Sequence, residues 1–514
     1  MTALCVLAVL ATPLWLAWCR FDGGPTPDNS LSIEGAISLA RGDGYVRHWF
    51  TSGDNVLSAP GTRHISEFPP GVSMILLPFV GLGLNGNTVL KSLEMATILL
   101  GGMFWVRYLQ RQALSPAFQL CLAALIGFNC TPHRIGTTFS DAIVWAAFPV
   151  WLSEWKGLLP TDAKPHIRSI RIALLTAFLV LIRYQCVALL AVNVWLVLTS
   201  GRQRYKSLLL TITLPLVAFG GNLFWNKAHT GATSYVTDAA ATTTYNWQSV
   251  VHPSPVEALV SRPLGMNWFT NRVLESSSIA EQQRKLLRVL IAGIIVCLTF
   301  FHAGRTFKSL LKVLSHPLAL TYLATLGLLG ILTIRDTGIR PGWTFIEDER
   351  YYLFLYPALA IETGIAYVQA GGRFQHVQRS VILMILVATA SGLLCLRYCH
   401  GVWAGSTQPH SSLYRVLSNT EPLPTRTIVV GDEQALRALR VEAYPRTNEI
   451  LAGLLSDRTK LERSSARAAV IIPMESEQFD LEDEVAEAIE LRLYPTNFAG
   501  FPQVTVHSLI SFAG

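Results

Sequence analysis

Charged residues are scarce in this chain of 514 residues, because Asp, Glu, Lys and Arg together make up only 15% of it. A soluble domain carries about a quarter of its residues as these four types. Long polar tracts are also few, and apolar runs of about 18 residues, each able to cross roughly 30 Å of hydrocarbon, recur along the sequence. The mean hydropathy is +0.38. These features exclude an ordinary soluble protein and predict an all-α polytopic membrane protein.

The sequence also lacks several motifs of cofactor sites. None of its eight cysteines forms a CxxC pair, and most lie within apolar runs, which is typical of small buried side chains. The VVGD run near the C-terminus lacks the GxGxxG phosphate loop, so no nucleotide site is predicted. The net charge of +7 is accounted for by Lys and Arg in cytoplasmic loops, and it gives no reason to expect nucleic acid as a partner.

The apolar runs predict about eleven transmembrane helices. Their approximate bounds are 2–19, 86–106, 116–131, 139–156, 169–182, 185–200, 207–227, 286–303, 316–334, 351–369 and 379–397. The run 2–19 lacks the basic start of a cleaved signal and is predicted to be a retained span. Basic residues follow every second span, which places those loops in the cytoplasm, the N-terminus inside and the C-terminus outside. The expected location is the plasma (inner) membrane.

The apolar stretch Val72–Leu84 decides this topology, since counting it as a span would invert every later loop. It is short and follows Pro69-Pro70-Gly71, so it is predicted to lie on the outer face without crossing. The polar loop 20–85 then faces outward and is far longer than a simple connection requires.

The chain is predicted to contain two domains, a membrane domain over 1–397 and an extracytoplasmic α/β domain over 398–514. The second rests on two strand-like runs, Thr425–Asp432 and Ala468–Pro473, with the helical pattern Glu433–Arg440 after the first.

The polar loop contains the candidate carboxylates. Asp28 precedes the helical pattern Leu31–Arg41 and is either its N-cap or a functional acid. Glu67 precedes FPPG, whose prolines stiffen the backbone, and it either binds a substrate or cation or pairs with Arg63 or His64. His64 and Glu67 lack a third ligand nearby and do not predict a metal site. Glu34 and Asp43 are expected to be solvated loop charges, whereas Asp22, close to the first span, is either a loop charge or a functional acid.

Other candidates lie at the outer ends of the later spans. Arg183-Tyr184 interrupts a long apolar run, where a cation either snorkels to the interface or faces a cavity and grips a phosphate. Arg350, within FIEDERYYLFLYP, either holds an anionic leaving group or belongs to an interfacial belt with salt bridges inside its own loop. Asp141 follows His133 and Arg134 in a turn on the same face.

Taken in order, these pieces resemble the glycosyltransferase C superfamily, and specifically the relatives of glycosyltransferase family 39. Those include protein O-mannosyltransferase-like and aminoarabinose-transferase-like enzymes. The resemblance covers residues 1–397 and rests first on DNSLSIEGAISLARGDGY (Asp28–Tyr45) followed by EFPPG. The further matches are Ser140-Asp141, the LxRY pattern around Arg183, WNKAHTG (Trp225–Gly231) and ERYY with the proline at Pro357.

The resemblance implies transfer of a monosaccharide from a polyprenyl-phosphate donor to an acceptor lipid, protein or polysaccharide at the outer face. It implies that Asp28 is the catalytic carboxylate, acting as general base or orienting the acceptor hydroxyl. Arg183 and Arg350 suit the leaving phosphate. The other expected substrate-binding residues are His64, Glu67, Tyr184 and Asp141.

The sequence departs from the family pattern at Asn29 and Leu31, where an acidic and an aromatic residue are usual. Members of the superfamily differ in their use of a divalent cation, which is therefore left open. The alternative function is a transporter or flippase of lipid-linked glycans, although the spans contain few ionisable residues and no inverted repeat. A membrane scaffold whose outer tail binds partners is a third possibility.

Overall fold

The structure is a computed structural model. It describes residues 1–19, 27–49, 61–66, 68–112, 114–129, 138–158, 165–199, 205–230, 244–245, 317–336, 349–371, 427–431, 450–453, 468–472, 489–494 and 506–512. The predicted spans 286–303 and 379–397 lie outside these residues.

Hydrophobic helices make up most of the described chain. They are α1 Thr2–Cys19, α2 Pro27–Arg41, α3 Gly71–Gly81, α4 Gly86–Gln110, α5 Pro116–Asn129, α6 Phe139–Leu158, α7 Pro165–Ile182, α8 Val187–Thr199, α9 Tyr205–Thr230, α10 Pro317–Ile334 and α11 Tyr356–Gly371. Helices α1 and α4 to α11 occupy the predicted spans that fall within the described residues. By length and composition alone, α4 and the part Leu209–His229 of α9 are long and apolar enough to cross a membrane.

The described part of the polar loop between α1 and α4 contains several short elements. Helix α2 is followed by an antiparallel hairpin of β1 Val46–Trp49 and β2 Gly61–His64, with Val46 opposite His64. Helix α3 has 11 residues and is therefore about 16 Å long, little more than half the hydrocarbon thickness of about 30 Å. That Val72–Leu84 lies on the outer face without crossing the membrane stays a prediction.

The contacts between Cα atoms divide the chain into two compact units. The first comprises Met1–Ala17, Ser66–Gly71 and Leu93–Arg397. The second comprises Trp18–Ile65, Val72–Ser92 and Tyr398–Gly514.

Five strands form a mixed sheet in the C-terminal part: β5 Thr427–Gly431, β6 Ile450–Gly453, β7 Ala468–Ile472, β8 Ile489–Tyr494 and β9 Val506–Phe512. Their order in the sheet is β6-β5-β7-β9-β8. Strand β5 pairs in parallel with β6 and β7, whereas β9 is antiparallel to β7 and β8. Strands β5 and β7 occupy the two predicted strand runs, and the helical pattern Glu433–Arg440 lies outside the described residues. A further pair, β3 Thr244–Tyr245 with β4 Arg335–Asp336, is antiparallel.

A buried polar network ties α6 to α9 inside the first unit. Trp151 Nε1 donates to Thr176 Oγ1, and Trp155 Nε1 donates to Asn193 Oδ1, each at 3.0 Å. The Asn193 amide nitrogen in turn donates to Thr176 Oγ1 at 3.1 Å and to the Thr211 carbonyl at 2.8 Å. Hydrogen bonds of this kind hold helices together where lipid removes the hydrophobic drive for them to associate.

Charged side chains join three helices at the C-terminal end of α6. Lys156 of α6 forms an ion pair with Glu362 of α11. The same carboxylate accepts a hydrogen bond from the Tyr108 hydroxyl of α4 at 2.6 Å, and the Lys156 ammonium lies 5.2 Å from the Tyr108 ring centroid. Residues far apart in sequence are thus clamped at one end of the helices.

Glu154 makes a second charged contact at this end of α6. Its two carboxylate oxygens lie 3.2 Å from the Nη1 atoms of Arg168 and Arg171, at the start of α7. The Arg171 side chain is 61% exposed. Lys156, Arg168 and Arg171 are among the cations that predict a cytoplasmic loop, and the structure gives each of them a carboxylate partner.

Two glycines provide a matched test of helix packing. A Cβ on Gly127 of α5 would clash with the Ala8 carbonyl and lie 3.0 Å from the Val9 Cα, both backbone atoms of α1. A Cβ on Gly220 of α9 would meet nothing within 4 Å among the described residues. We expect Gly127→Ala to lower the free energy of unfolding by about 1–3 kcal/mol. Gly220→Ala should be neutral or stabilising by up to about 1 kcal/mol. Thermal unfolding in detergent compares the variants, and equal midpoints would refute the close contact of α1 with α5.

Candidate functional site

The apolar run through α7 and α8 is broken at Arg183, as its sequence predicts. Helix α7 ends at Ile182, Arg183 is extended (φ −155°, ψ 128°), and a 3₁₀ turn over Tyr184–Cys186 leads into α8. The Arg183 side chain is buried. We refer to Arg183–Cys186 as the α7–α8 break. It places a buried guanidinium and a half-buried phenol side by side in the first unit.

Arg183 pairs with Asp141 at the N-terminal end of α6. Its Nη1 lies 2.8 Å from Asp141 Oδ1, and the two side chains are 6% and 2% exposed. Nη1 also donates to Thr138 Oγ1 at 3.0 Å and to Ser140 Oγ at 2.7 Å, while Nε donates to Gln185 Oε1 at 3.1 Å. A buried ion pair persists only when its remaining donors and acceptors are matched in this way.

The Asp141 carboxylate also caps its own helix. Oδ2 accepts hydrogen bonds from the backbone N–H and the hydroxyl of Thr138, each at 3.1 Å. Thr138 immediately precedes the first residue of α6, so the carboxylate satisfies an otherwise free N–H and lies at the positive end of the helix dipole. Asp141 is therefore held from both sides, by the start of α6 and by Arg183.

The ERYY motif reaches the same guanidinium. It forms a 3₁₀ turn, Glu349–Tyr352, in which the Tyr351 ring centroid lies 5.6 Å from the Arg183 guanidinium carbon. An arginine over an aromatic face at this distance gains a cation–π attraction. In sequence, Tyr351 stands out only as part of the ERYY match. The backbone of Arg350 lies in this turn, and its side chain lies outside what the structure describes.

Tyr184 turns to a different set of partners. Its hydroxyl accepts hydrogen bonds from the Asn222 and Asn226 amide nitrogens of α9, at 3.1 Å and 2.8 Å. It donates to the Ser66 carbonyl at 3.3 Å. A phenol has one proton to donate and two lone pairs, and these three contacts use all of them.

In the second unit, Asp28 is the second residue of α2 and is half-buried. Because α2 begins with Pro27, a residue favoured at the first helical position, Asp28 lies within the helix and is not its N-cap. Its backbone carbonyl accepts a hydrogen bond from Ser32 Oγ at 3.2 Å. The carboxylate lies in the first turn, where the helix dipole favours negative charge.

Two other polar residues of the second unit, His64 and Glu34, are buried. His64, at the end of β2, is 5% exposed and meets the Tyr45 ring edge-on, with the centroids 5.7 Å apart. Glu34 is 4% exposed, so the expectation that it is solvated is wrong. It lies on a stretch of α2 where both neighbours, Ile33 and Gly35, are buried as well. Asp43 is exposed as expected.

Several predicted positions lie outside the described residues, namely Asp22, Glu67, His133 and Arg134. Among the residues that are described, no group of three or more His, Cys, Asp or Glu side chains is arranged to hold a metal ion. The residues present therefore do not define a cation site.

Comparison with known proteins gives a match in structure but none in sequence. No protein-family model and no curated protein matches the chain. ArnT from Cupriavidus metallidurans, solved with bound undecaprenyl phosphate, superposes with a TM-score of 0.57 at 12% identity, covering 99% of this chain and 98% of ArnT. This chain has the fold of ArnT. The predicted resemblance to the glycosyltransferase C superfamily is thus confirmed at the level of fold.

The oligosaccharyltransferase of Archaeoglobus fulgidus is a more distant structural match. Its complex with Zn and sulfate gives a TM-score of 0.46 at 13% identity, covering 92% of this chain and 67% of that one. The oligosaccharyltransferase AglB of the same organism, in complex with an inhibitory peptide and a dolichol-phosphate, gives a TM-score of 0.42 at 10% identity. The ArnT-like fold is therefore the informative match, because it extends over both chains almost completely.

Sequence analysis missed most partners of the site. Thr138, Gln185 and Asn222 attract no attention in sequence, because single polar residues next to apolar runs are common. Ser140 and Asn226 stand out in sequence only as members of Ser140-Asp141 and WNKAHTG. The pairing of Asn222 and Asn226 was the available signal, since residues four apart lie on one face of a helix and both amides face Tyr184.

Proposed function

We propose that this protein is a membrane glycosyltransferase that moves a monosaccharide from a polyprenyl-phosphate donor to an acceptor on the extracytoplasmic face. The observation that carries the proposal is the fold shared with ArnT over 99% of this chain. ArnT in that structure binds undecaprenyl phosphate, a lipid phosphate of the class proposed here. The acceptor is a lipid, a protein or a polysaccharide.

The proposed reaction needs one group at the attacking acceptor hydroxyl and another at the leaving phosphate. The Asp28 carboxylate orients the acceptor hydroxyl and takes its proton as the acceptor oxygen attacks the anomeric carbon. The bond between that carbon and the phosphate oxygen breaks, and the polyprenyl phosphate leaves with the electron pair. Its growing negative charge requires fixed positive charge in a site of low dielectric.

Arg183 is assigned to the leaving phosphate, together with Arg350. The contacts of Arg183 with described residues use Nη1 and Nε, so we assign Nη2 to a phosphate oxygen. The ion pair with Asp141 holds the guanidinium rigidly, which suits stabilisation of a charge that develops at one place. We also assign His64, Glu67 and Tyr184 to the substrate site.

The proposed topology contains about eleven membrane spans, in keeping with the length that each apolar run provides. The N-terminus and the Lys156 end of α6 are cytoplasmic, and α2, the α7–α8 break and the domain over 398–514 are extracytoplasmic. The five-stranded sheet supports an α/β assignment for that domain. We propose that the protein is located in the plasma (inner) membrane. No step of the proposed reaction passes through a divalent cation.

The experiment is a transfer assay with the purified protein in proteoliposomes that contain polyprenyl-phosphate monosaccharides labelled in the sugar. We expect free polyprenyl phosphate and label in a non-lipid or acceptor-lipid fraction. A flippase, the alternative function, would move the intact donor between leaflets and release no polyprenyl phosphate. Intact donor with every acceptor class tested would contradict the proposal.

A further inference from the structure

The last residues of α7 and the α7–α8 break together hold a piece of the polar loop at both ends. Ser66, at the start of the piece, accepts the hydrogen bond of the Tyr184 hydroxyl through its backbone carbonyl. Gly71, at its end, lies so close to the Leu181 carbonyl that a Cβ there would clash with it, and the same Cβ would be 3.0 Å from Ile182 Cδ1. Both anchors are provided by consecutive residues, 181–184.

The piece between the anchors has a restricted backbone of its own. Pro69 and Pro70 fix their φ angles near −65° and disfavour helical backbone in the residue before each of them. Ser66, Pro69, Pro70 and Gly71 are buried. Phe68, Pro69 and Pro70 therefore have few backbone conformations available between the two anchors. The chain residue that follows Ser66 is Glu67, one of the proposed substrate-site residues.

The anchor at Ser66 is itself fixed by α9. The Asn226 and Asn222 side chains are 1% and 6% exposed and both donate to the Tyr184 oxygen. Because the two lone pairs are engaged by these amides, the hydroxyl proton has one direction left, toward the Ser66 carbonyl. A phenol with these three contacts is a poor ligand for a sugar hydroxyl, but it holds the Ser66 backbone in place. We refer to the Tyr184 hydroxyl with its contacts to Asn222, Asn226 and Ser66 as the joint.

We propose that Tyr184 is a positioning residue, which acts with Asn222 and Asn226 to fix the backbone of Ser66 and thereby the Ser66–Gly71 segment next to the substrate. This inference rests on the proposed function for its catalytic part and specifies the role of Tyr184 within that site. The WNKAHTG motif, which contains Asn226 and has no other role here, is then the part of α9 that orients the joint.

Tyr184→Phe removes the joint and little else, and Tyr108→Phe is its matched control. Tyr108 is likewise a phenol with a hydrogen-bond partner, Glu362; it is buried whereas Tyr184 is half-buried, and it lies at the Lys156 end of α6. Hydrogen–deuterium exchange of the full-length protein in nanodiscs is measured over peptides that contain residues 64–72. Donor kinetics are measured on the same samples.

For Tyr184→Phe we expect exchange over 64–72 to accelerate by about tenfold or more, because a buried acceptor loses its donor. We expect kcat to fall about tenfold, while the KM for the lipid donor, whose phosphate is assigned to Arg183, stays within about twofold. Asn226→Leu should produce the same pattern, less strongly. Tyr108→Phe should change neither the local exchange nor kcat.

If the exchange rate over 64–72 is unchanged in Tyr184→Phe, the proposed joint is wrong. It is also wrong if exchange accelerates equally throughout the helices, because that result signals general destabilisation. Local acceleration with unchanged kcat would overturn its catalytic part. Failure of the proposed function is distinguishable, since the parent protein would then transfer no sugar from any donor. The exchange measurement requires no transfer and decides the joint in that case as well.

Discussion

Asp28→Asn is expected to abolish sugar transfer, with a loss of about 10²- to 10⁴-fold that is typical for removing a general base. The substitution keeps the size of the side chain and removes its charge and its ability to take a proton. Asp28 lies in the first turn of α2 and is half-buried, so folding should be nearly unaffected. Initial rates of label transfer in proteoliposomes, with thermal unfolding of the same preparation, measure both.

Asp43→Asn is the control for this prediction. It makes the same chemical change shortly after α2, at an exposed position, and should leave the rate within about twofold of the parent, as is usual for a surface substitution. Full transfer by Asp28→Asn would remove Asp28 from the mechanism. A large loss in both variants would point instead to a general need for negative charge in this loop.

Arg183→Gln is expected to destabilise the protein by about 3–5 kcal/mol, because it leaves the buried Asp141 carboxylate without its counter-charge. Arg183 and Asp141 are 6% and 2% exposed. Transfer should fall as well, since Arg183 is the group assigned to the leaving phosphate. Asp141→Asn alone should be similarly destabilising, and the double variant should lose less than the sum of the two losses. Unfolding midpoints in detergent provide the comparison.

Arg171→Gln provides the matched exposed pair. Arg171 also lies near a carboxylate, Glu154 at 3.2 Å, but its side chain is 61% exposed. Pairs of this kind contribute about 0–1 kcal/mol, so this variant should unfold close to the parent. If the losses of Arg183→Gln and Asp141→Asn were additive, the 2.8 Å contact would contribute nothing to stability, and a different reason for the burial of both groups would be required.

The fold was predictable from sequence wherever hydrophobicity alone determines it. Apolar runs located α1 and α4 to α11, and the length of Val72–Leu84 indicated a helix too short to cross. The break between α7 and α8 was predictable because Arg183 is a charge within an apolar run. The strand runs at Thr425–Asp432 and Ala468–Pro473 were predictable because each contains a continuous apolar stretch. Strands β6, β8 and β9 were not predicted, because their sequences are short or mixed.

The pairings at the site were not predictable, because they join residues that are distant in sequence and chemically ordinary. Nothing near Arg183 indicates that its partner is Asp141, and nothing near Tyr184 indicates Asn222 or Ser66. The burial of Glu34 was missed for a related reason. The helix around it mixes polar and apolar residues, and only tertiary packing determines that every residue from Leu31 to Ser38 is buried.

The clamp between Lys156 and Glu362 has a consequence for how the protein is made. Lysine and arginine orient a membrane protein during insertion, whereas acidic residues contribute little to that choice. Glu362 is far downstream, so Lys156 emerges from the ribosome long before its partner in α11 is synthesised. In the proposed topology one ammonium therefore acts twice: unpaired, it helps retain its loop in the cytoplasm, and later it fastens the last described helix onto α6. Because the pair forms only after α11 is synthesised, Lys156 and Glu362 must by then lie on the same side of the membrane if α11 is to be held to α6.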